Sequence, residues 1–170
     1  QVEYFGRGPA ENYLDRNAGS MIGLYKSTAE ELYFPYVRPQ ENGHHTDTRW
    51  VSLSTGKKGL LIQADNTIGF NALRNSIEDF DDEEATGLPR QWSNFTPEQV
   101  ANHDEAAAKS VLRRQHHIND ITPRDFVEVC VDLKQQGVAG YDSWGSRPEP
   151  AYTLPANREY NWGFTLIPLK

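Results

Sequence analysis

Apolar and polar residues alternate most regularly over residues 126–133. Val127, Val129, Val131 and Leu133 fall on one side, Glu128, Cys130 and Asp132 on the other. A period of two is the signature of a strand with one buried face. Tyr160, Trp162, Phe164 and Leu166 repeat it near the C-terminus. Further strand-like runs occupy 2–5, 20–26, 48–54, 58–64 and 67–73. The turn residues Ser54-Thr55-Gly56-Lys57 and Asp65-Asn66 predict a three-stranded meander from 48 to 73. One segment departs from the β pattern. Thr96-Pro97-Glu98-Gln99 reads as a helix start, with Thr as cap, Pro in the first turn and Gln three residues after the cap. Alanine-rich sequence follows to Arg114, its apolar stripe of Val100, Ala107 and Val111 interrupted by Asp104. This predicts a surface helix in an insertion spanning 87–114. A short helical turn is expected over 76–81, and the acidic run 79–84 reads as a solvated face. Together the pattern predicts a mostly antiparallel β architecture.

Apolar residues make up only 37% of the chain, yet 4 Trp, 8 Tyr and 7 Phe supply enough large rings to build a core. The 170 residues suit one domain. A net charge of −7 opposes binding to nucleic acid or to an anionic membrane. No apolar run approaches the roughly 18 residues a spanning helix needs. Cys130 is the lone cysteine, so no internal disulfide is possible. The chain opens on Gln1 and has one methionine, Met21, which reads as a piece of a longer polypeptide. The compartment, cytoplasmic or periplasmic, is left open.

Three stretches carry candidate chemistry. The first is Phe5-Gly6-Arg7-Gly8-Pro9-Ala10-Glu11-Asn12-Tyr13-Leu14-Asp15-Arg16. Its glycines permit a sharp turn, and Arg7, Glu11, Asp15 and Arg16 can form ion pairs that pin it. A charged structural corner is favoured over a ligand-facing cluster. The second stretch is Tyr36-Val37-Arg38-Pro39-Gln40-Glu41-Asn42-Gly43-His44-His45, with a turn at Asn42-Gly43. Adjacent His44 and His45 point to opposite faces of an extended chain, as do His116 and His117, so no metal site is expected. The third, Gly137-Val138-Ala139-Gly140-Tyr141-Asp142-Ser143-Trp144-Gly145, opens a long Gly- and Pro-rich connection over 134–158. Such long connections often carry function. An exposed indole suits the apolar C–H face of a pyranose, so Trp144, with Asp142 beside it, is a candidate sugar contact. Packing of Trp144 on the sheet edge is an equal alternative. No pair of the 24 Asp and Glu residues stands out as a glycosidase dyad. No nucleophile elbow or phosphate loop is present.

At these stretches the chain resembles the C-terminal domain of β-galactosidases of glycoside hydrolase family two. The matching pieces are Phe5-Gly6-Arg7-Gly8-Pro9, Glu11-Asn12-Tyr13, Asp15-Arg16, Tyr36-Val37, Pro39-Gln40-Glu41-Asn42-Gly43, Thr48-Arg49-Trp50 and Asp142-Ser143-Trp144, in family order over nearly the whole chain. The resemblance implies the second half of a large antiparallel supersandwich similar to the galactose mutarotase fold. It implies a parent enzyme that hydrolyses terminal β-D-galactosides with retention. Its two catalytic glutamates and its magnesium and sodium sites would lie in other domains, leaving no catalytic residue and no cofactor in this chain. This part would cap the active site and contribute Trp144. His44-His45 and Tyr141 depart from the family pattern, and Tyr141 raises the prospect of a narrowed pocket.

Two other functions fit the residues. One is a stand-alone carbohydrate-binding or mutarotase-like module. The other is a structural or oligomerisation domain, because a half sandwich has uncovered edges and an uncovered core face that predict self-association.

Overall fold

The structure is a computed structural model that describes residues 1–37, 40–56, 58–80, 118, 121–142 and 144–170. The expected insertion and its helix, the His116-His117 pair, Ser143 and most of the acidic run lie outside the described residues. The chain divides into two compact units: residues Gln1–Phe34, Asn42–Leu73 and Glu128–Lys170 form one, Pro35–Glu41 and Arg74–Val127 the other.

The first unit holds an antiparallel sheet of six strands: β1 (Val2–Gly8), β2 (Met21–Ser27), β3 (His45–Thr55), β4 (Lys58–Leu73), β5 (Glu128–Asp132) and β6 (Phe164–Leu169). Their order is β2-β1-β3-β4-β5, and β6 also pairs with β4. Strand β4 is long enough to serve two partners on one edge. Gly59–Ala64 pair with β6, and Gly69–Leu73 pair with β5. Because side chains alternate along each strand, the pairing lines up one row across five strands: Tyr25, Tyr4, Val51, Ile62 and Leu166. Tyr4, Val51 and Ile62 in that row are buried, together with Val2, Ile68, Phe70 and Ala72. Rings dominate this core. Phe70 meets Tyr4 edge-on at 5.2 Å between centroids and stacks on His45 at 5.3 Å. The opposite face carries Leu24, Phe5, Trp50, Gln63 and Thr165 in the next row. A concavity of about 710 Å³ lies there, lined by Trp50, Arg49, Gln63 and Leu169 among others.

Several expectations need correction. The meander is a single hairpin: residues 58–64 and 67–73 are one continuous strand, β4. The hairpin turn falls at Thr55 and Gly56, as expected, with Gly56 at φ +61°. Asp65-Asn66 makes no turn, because Thr48 pairs with Ile68 while Trp50 pairs with Gln63. Two steps along β3 therefore face five along β4, and the turn-forming pair is absorbed in that irregularity. Strand β6 begins later than expected. Its ladder ends where Phe164 faces Ala64, leaving Tyr160 and Trp162 outside the strand. Gly6 and Gly8 form no sharp turn either; both lie within β1. Their value is close approach, since a Cβ at Gly6 would collide with the Thr48 side chain and one at Gly8 with the Tyr4 hydroxyl.

In the second unit the expected short turn appears as a 3-10 helix, Ile77–Phe80. Asp79 belongs to no solvated face, because it is only 5% exposed. Its carboxylate accepts from Arg124 Nε at 2.9 Å and from the Ser76 N–H at 3.1 Å. Burial pushes its pKa up, but the hydrogen bonds from Arg124 and Ser76 outweigh it and hold the group below its ordinary range.

Among the described residues there is one sheet rather than two, and apolar side chains on it stay open to solvent. Met21 and Leu24 are each 72% exposed and Leu166 is 54% exposed. No described helix is long and apolar enough to cross a membrane.

Candidate functional site

Parts of the three motif stretches, far apart in sequence, are linked through the first of them: Glu11 and Asn12 hold Gly43 and His44, while Asp15 and Arg16 hold Val138 and Ala139. Asn12 is the joint between the first two. It is fully buried, and its main-chain N–H donates to the His44 carbonyl at 2.7 Å. Its side-chain oxygen accepts from the Thr46 N–H at 3.0 Å and the Thr46 hydroxyl at 2.6 Å. Its amide nitrogen donates to the carbonyls of Arg7 and Ala10, both at 3.1 Å. Every capacity of this buried amide is thus used, which is what a buried polar group requires. Glu11 accepts from the Gly43 N–H at 2.6 Å, and the Asn42 side chain accepts from the Phe34 N–H at 3.1 Å. Gly43 sits at φ +74°, as the Asn-Gly turn signal implies. Glu41 is half-buried beside this turn in sequence and belongs to the second unit.

The charged residues do not pair among themselves as expected. Arg7 pairs with Asp47, Nε to Oδ2 at 2.5 Å, and also donates to the carbonyls of Asn17 and Ser20 at 3.3 and 2.9 Å. Asp47 adopts φ +52°, at the first irregularity between β3 and β4. Asp15 turns to the third stretch, where its two oxygens accept from the N–H groups of Val138 at 3.1 Å and Ala139 at 2.8 Å. Arg16 donates to the Ala139 carbonyl. Carboxylates and guanidinium groups here satisfy loop backbone, because a long irregular connection brings unpaired N–H and C=O groups that need partners.

His44 and His45 are core residues. Both rings are 1% exposed. His44 stacks on Tyr13 at 5.6 Å, while His45 lies against Tyr4 at 4.7 Å and Phe70 at 5.3 Å. Burial pushes the His44 pKa down to about 4, aided by neighbouring His45. Burial lowers His45 to about 4 as well, against the opposing effect of its hydrogen bond to the Arg7 carbonyl. That carbonyl can only accept, so His45 Nδ1, 3.1 Å away, carries the hydrogen. Cys130 is half-buried on β5 and forms no disulfide. Among the described residues no three His, Cys, Asp or Glu side chains come together as a metal site.

The third stretch ends in the most exposed large apolar side chain of the described residues. Trp144 is 93% exposed. Asp142 does not reach past it. Its Oδ1 accepts from the N–H groups of Trp144 at 2.8 Å and Ser146 at 3.3 Å, closing a tight turn below the indole. Ser146 in turn accepts from the Tyr141 N–H at 3.0 Å, and Gly145 takes φ +83°. Trp144 therefore does not pack on the sheet edge. A bare indole on a built turn is an arrangement that can stack on a flat apolar surface.

The family described as the β-galactosidase small chain matches residues 1–166. This chain belongs to that family. A β-galactosidase of Priestia megaterium is 35% identical over 169 residues, 99% of this chain but 13% of that protein. One from Streptococcus thermophilus is 29% identical over 170 residues, again 99% of this chain and 14% of the relative. Another, from an Arthrobacter species, is 40% identical over 84 residues, 46% of the chain. The small-chain region described here thus spans about an eighth of the length of the relatives it matches over its full extent.

Sequence reasoning named the stretches of this cluster but missed Asn12 as its joint, Asp47 as the partner of Arg7, and Ser146. Asn12 had one available signal: an amide with two donors and an acceptor lying between two turn-rich stretches suits a junction. For Asp47 there was none, because its role depends on the irregular pairing of β3 with β4.

Proposed function

We propose that this chain is the C-terminal part of a retaining β-galactosidase of glycoside hydrolase family two, and that it helps hold the substrate by presenting Trp144. The observation that carries this reading is the indole itself, 93% exposed on a turn closed by Asp142. A large ring left bare suits a flat apolar partner, and the C–H face of galactose is one. The bond-breaking pair of carboxyl groups, which retention places about 5–5.5 Å apart, belongs to a barrel domain elsewhere in the parent. The magnesium and sodium of the parent would belong there too. The six-stranded sheet with bare apolar residues on it is one layer of the supersandwich.

Full-length protein carrying Trp144→Ala is expected to lose galactoside binding worth about 1–3 kcal/mol, so KM rises roughly 5- to 150-fold while kcat changes less. Steady-state kinetics on a chromogenic galactoside reads this directly. An unchanged kcat/KM would sink the assignment.

A second reading, self-association, is favoured by the bare Met21, Leu24 and Leu166. Sedimentation of the isolated chain is expected to show mass rising with concentration. A monomer at every concentration would exclude it.

A further inference from the structure

Among the described residues nothing packs around the indole at the tip of the Trp144 loop, whereas the root of that loop is held. We infer that Asp15, assisted by Arg16, is the positioning residue that fixes the Trp144 loop against the sheet, an inference that rests on the sugar-contact reading above.

The root is built differently from the tip. Ala139 is 1% exposed and adopts φ +54°, the left-handed region that L residues occupy only when their surroundings hold them there. Those surroundings are the two residues from the first stretch. Asp15 Oδ1 accepts from the Val138 N–H at 3.1 Å, and Oδ2 accepts from the Ala139 N–H at 2.8 Å. Arg16 holds the other end of the same residue through the Ala139 carbonyl. Ala139 is thereby fastened at both its N–H and its C=O by two consecutive residues more than 120 positions earlier in the chain. The fit is close. A Cβ at Gly137 would lie 2.6 Å from the Asp15 carboxylate, so the chain passes over that group only because residue 137 is glycine. Tyr141, the residue that departs from the family pattern, also reports to this carboxylate, donating its hydroxyl to Asp15 Oδ2 at 3.4 Å. From Tyr141 the order continues to the tip through Ser146 and Asp142. A chain of hydrogen bonds thus runs from Asp15 to the Trp144 N–H.

The chemistry requires a carboxylate. Both Asp15 oxygens face backbone N–H groups, and an ionised carboxyl is acceptor-only. Asp15→Asn keeps the shape but turns an amide NH2 toward a donor, breaking one of the two bonds. A site whose groups sit slightly out of place loses about tenfold or more in binding or rate, so loosening the root should be felt at the tip.

The experiment is a double-mutant cycle on the full-length protein, with hydrogen exchange measured by mass spectrometry on the same samples. Asp15→Asn is expected to raise KM for a chromogenic galactoside about tenfold with kcat changed less, and to speed exchange at 138–146 while β1, β3 and β4 stay protected. In a Trp144→Ala background the same change should raise KM by less than about twofold, because the loop then has no indole to position. A merely structural role would lower the active fraction, and hence kcat, equally in both backgrounds. Arg16→Met, which removes the donor to Ala139, serves as the second variant if Asp15→Asn does not fold. If Trp144→Ala raises KM but neither root variant alters KM or exchange at 138–146, the positioning role is overturned. If Trp144→Ala itself leaves KM unchanged, the sugar reading fails, and faster exchange at 138–146 in Asp15→Asn still upholds the clamp.

Discussion

Lowering the pH from 7 to 5 is expected to remove about 4 kcal/mol of folding stability, about 2 kcal/mol from each of His44 and His45. In the folded sheet both rings are buried and their pKa values are pushed down to about 4. Unfolded, each titrates near the ordinary 6.5. The folded state therefore binds fewer protons, and stability falls with pH from the unfolded value down to the folded one. It is full above about 6.5 and stops falling below about 4. At pH 5 the unfolded imidazoles are 1.5 units below their pKa while the folded ones remain neutral, which gives about 2 kcal/mol each at about 1.36 kcal/mol per unit. His45 contributes to the lowered His44 value, so the first proton enters the folded pair more readily than the second and the two losses sum to at most about 4 kcal/mol. Asp132 works the other way. Burial raises its pKa, so it recovers some stability as the pH falls. Asp79 is held low and begins to matter only at more acid pH. Urea unfolding at pH 7 and pH 5 measures the difference. Replacing either histidine by Gln should cut it by about half, and an undiminished difference in both variants would locate the effect elsewhere.

Phe70→Ala is expected to cost about 3–5 kcal/mol, enough to leave much of the protein unfolded under mild conditions. Phe70 is completely buried at the centre of the sheet, edge-on to Tyr4 and stacked on His45. Its removal deletes a large apolar contact and opens a cavity among three rings that cannot all shift to fill it. The cavity also lies beside His45. Water entering there would ease the burial that depresses that imidazole, so the loss between pH 7 and pH 5 should shrink in this variant. Phe70→Leu keeps most of the volume and should cost less. Equilibrium unfolding in urea gives both numbers. A loss below about 1 kcal/mol for Phe70→Ala would mean that the site collapses freely and that the ring cluster is not the centre of the core.

The two effects share a cause that bears on how this molecule is read. His44 and His45 next to a turn look like a metal invitation or a pH sensor. The sheet instead uses them as neutral aromatic rings, one against Tyr13 and one between Tyr4 and Phe70. Asp79 looks like part of a solvated acidic run, and it is buried against Arg124, 45 residues away. Residue type states what a group can do, while burial decides what it does; only the Asp79 expectation was overturned on that ground.

The strand-like runs overlapped all six described strands, though β6 lies four residues later than expected and two runs merged into β4, because a two-residue period is a local property. Hairpin chemistry at Thr55-Gly56 and the short turn after Ser76 were legible for the same reason. The ordered motifs pointed to the β-galactosidase small chain, and Trp144 stood out from its Gly- and Pro-rich surroundings. Only the tertiary structure decided the rest. Asp65-Asn66 carries the same turn signal as a true hairpin, yet β4 runs on as one strand through the irregularity there, and its ladder with β3 resumes on both sides. Arg7, Glu11, Asp15 and Arg16 were expected to pair with one another, and each found its partner where folding left a backbone group or a carboxylate unsatisfied. Asp15 and Ala139 are 124 residues apart, and no local pattern can encode that contact. Sequence periodicity states which residues share a face, not whether that face is covered: β5 and β6 alternate regularly, and neither holds a fully buried residue. Which distant groups the residues meet depends on sheet order and strand irregularities, which no local pattern encodes.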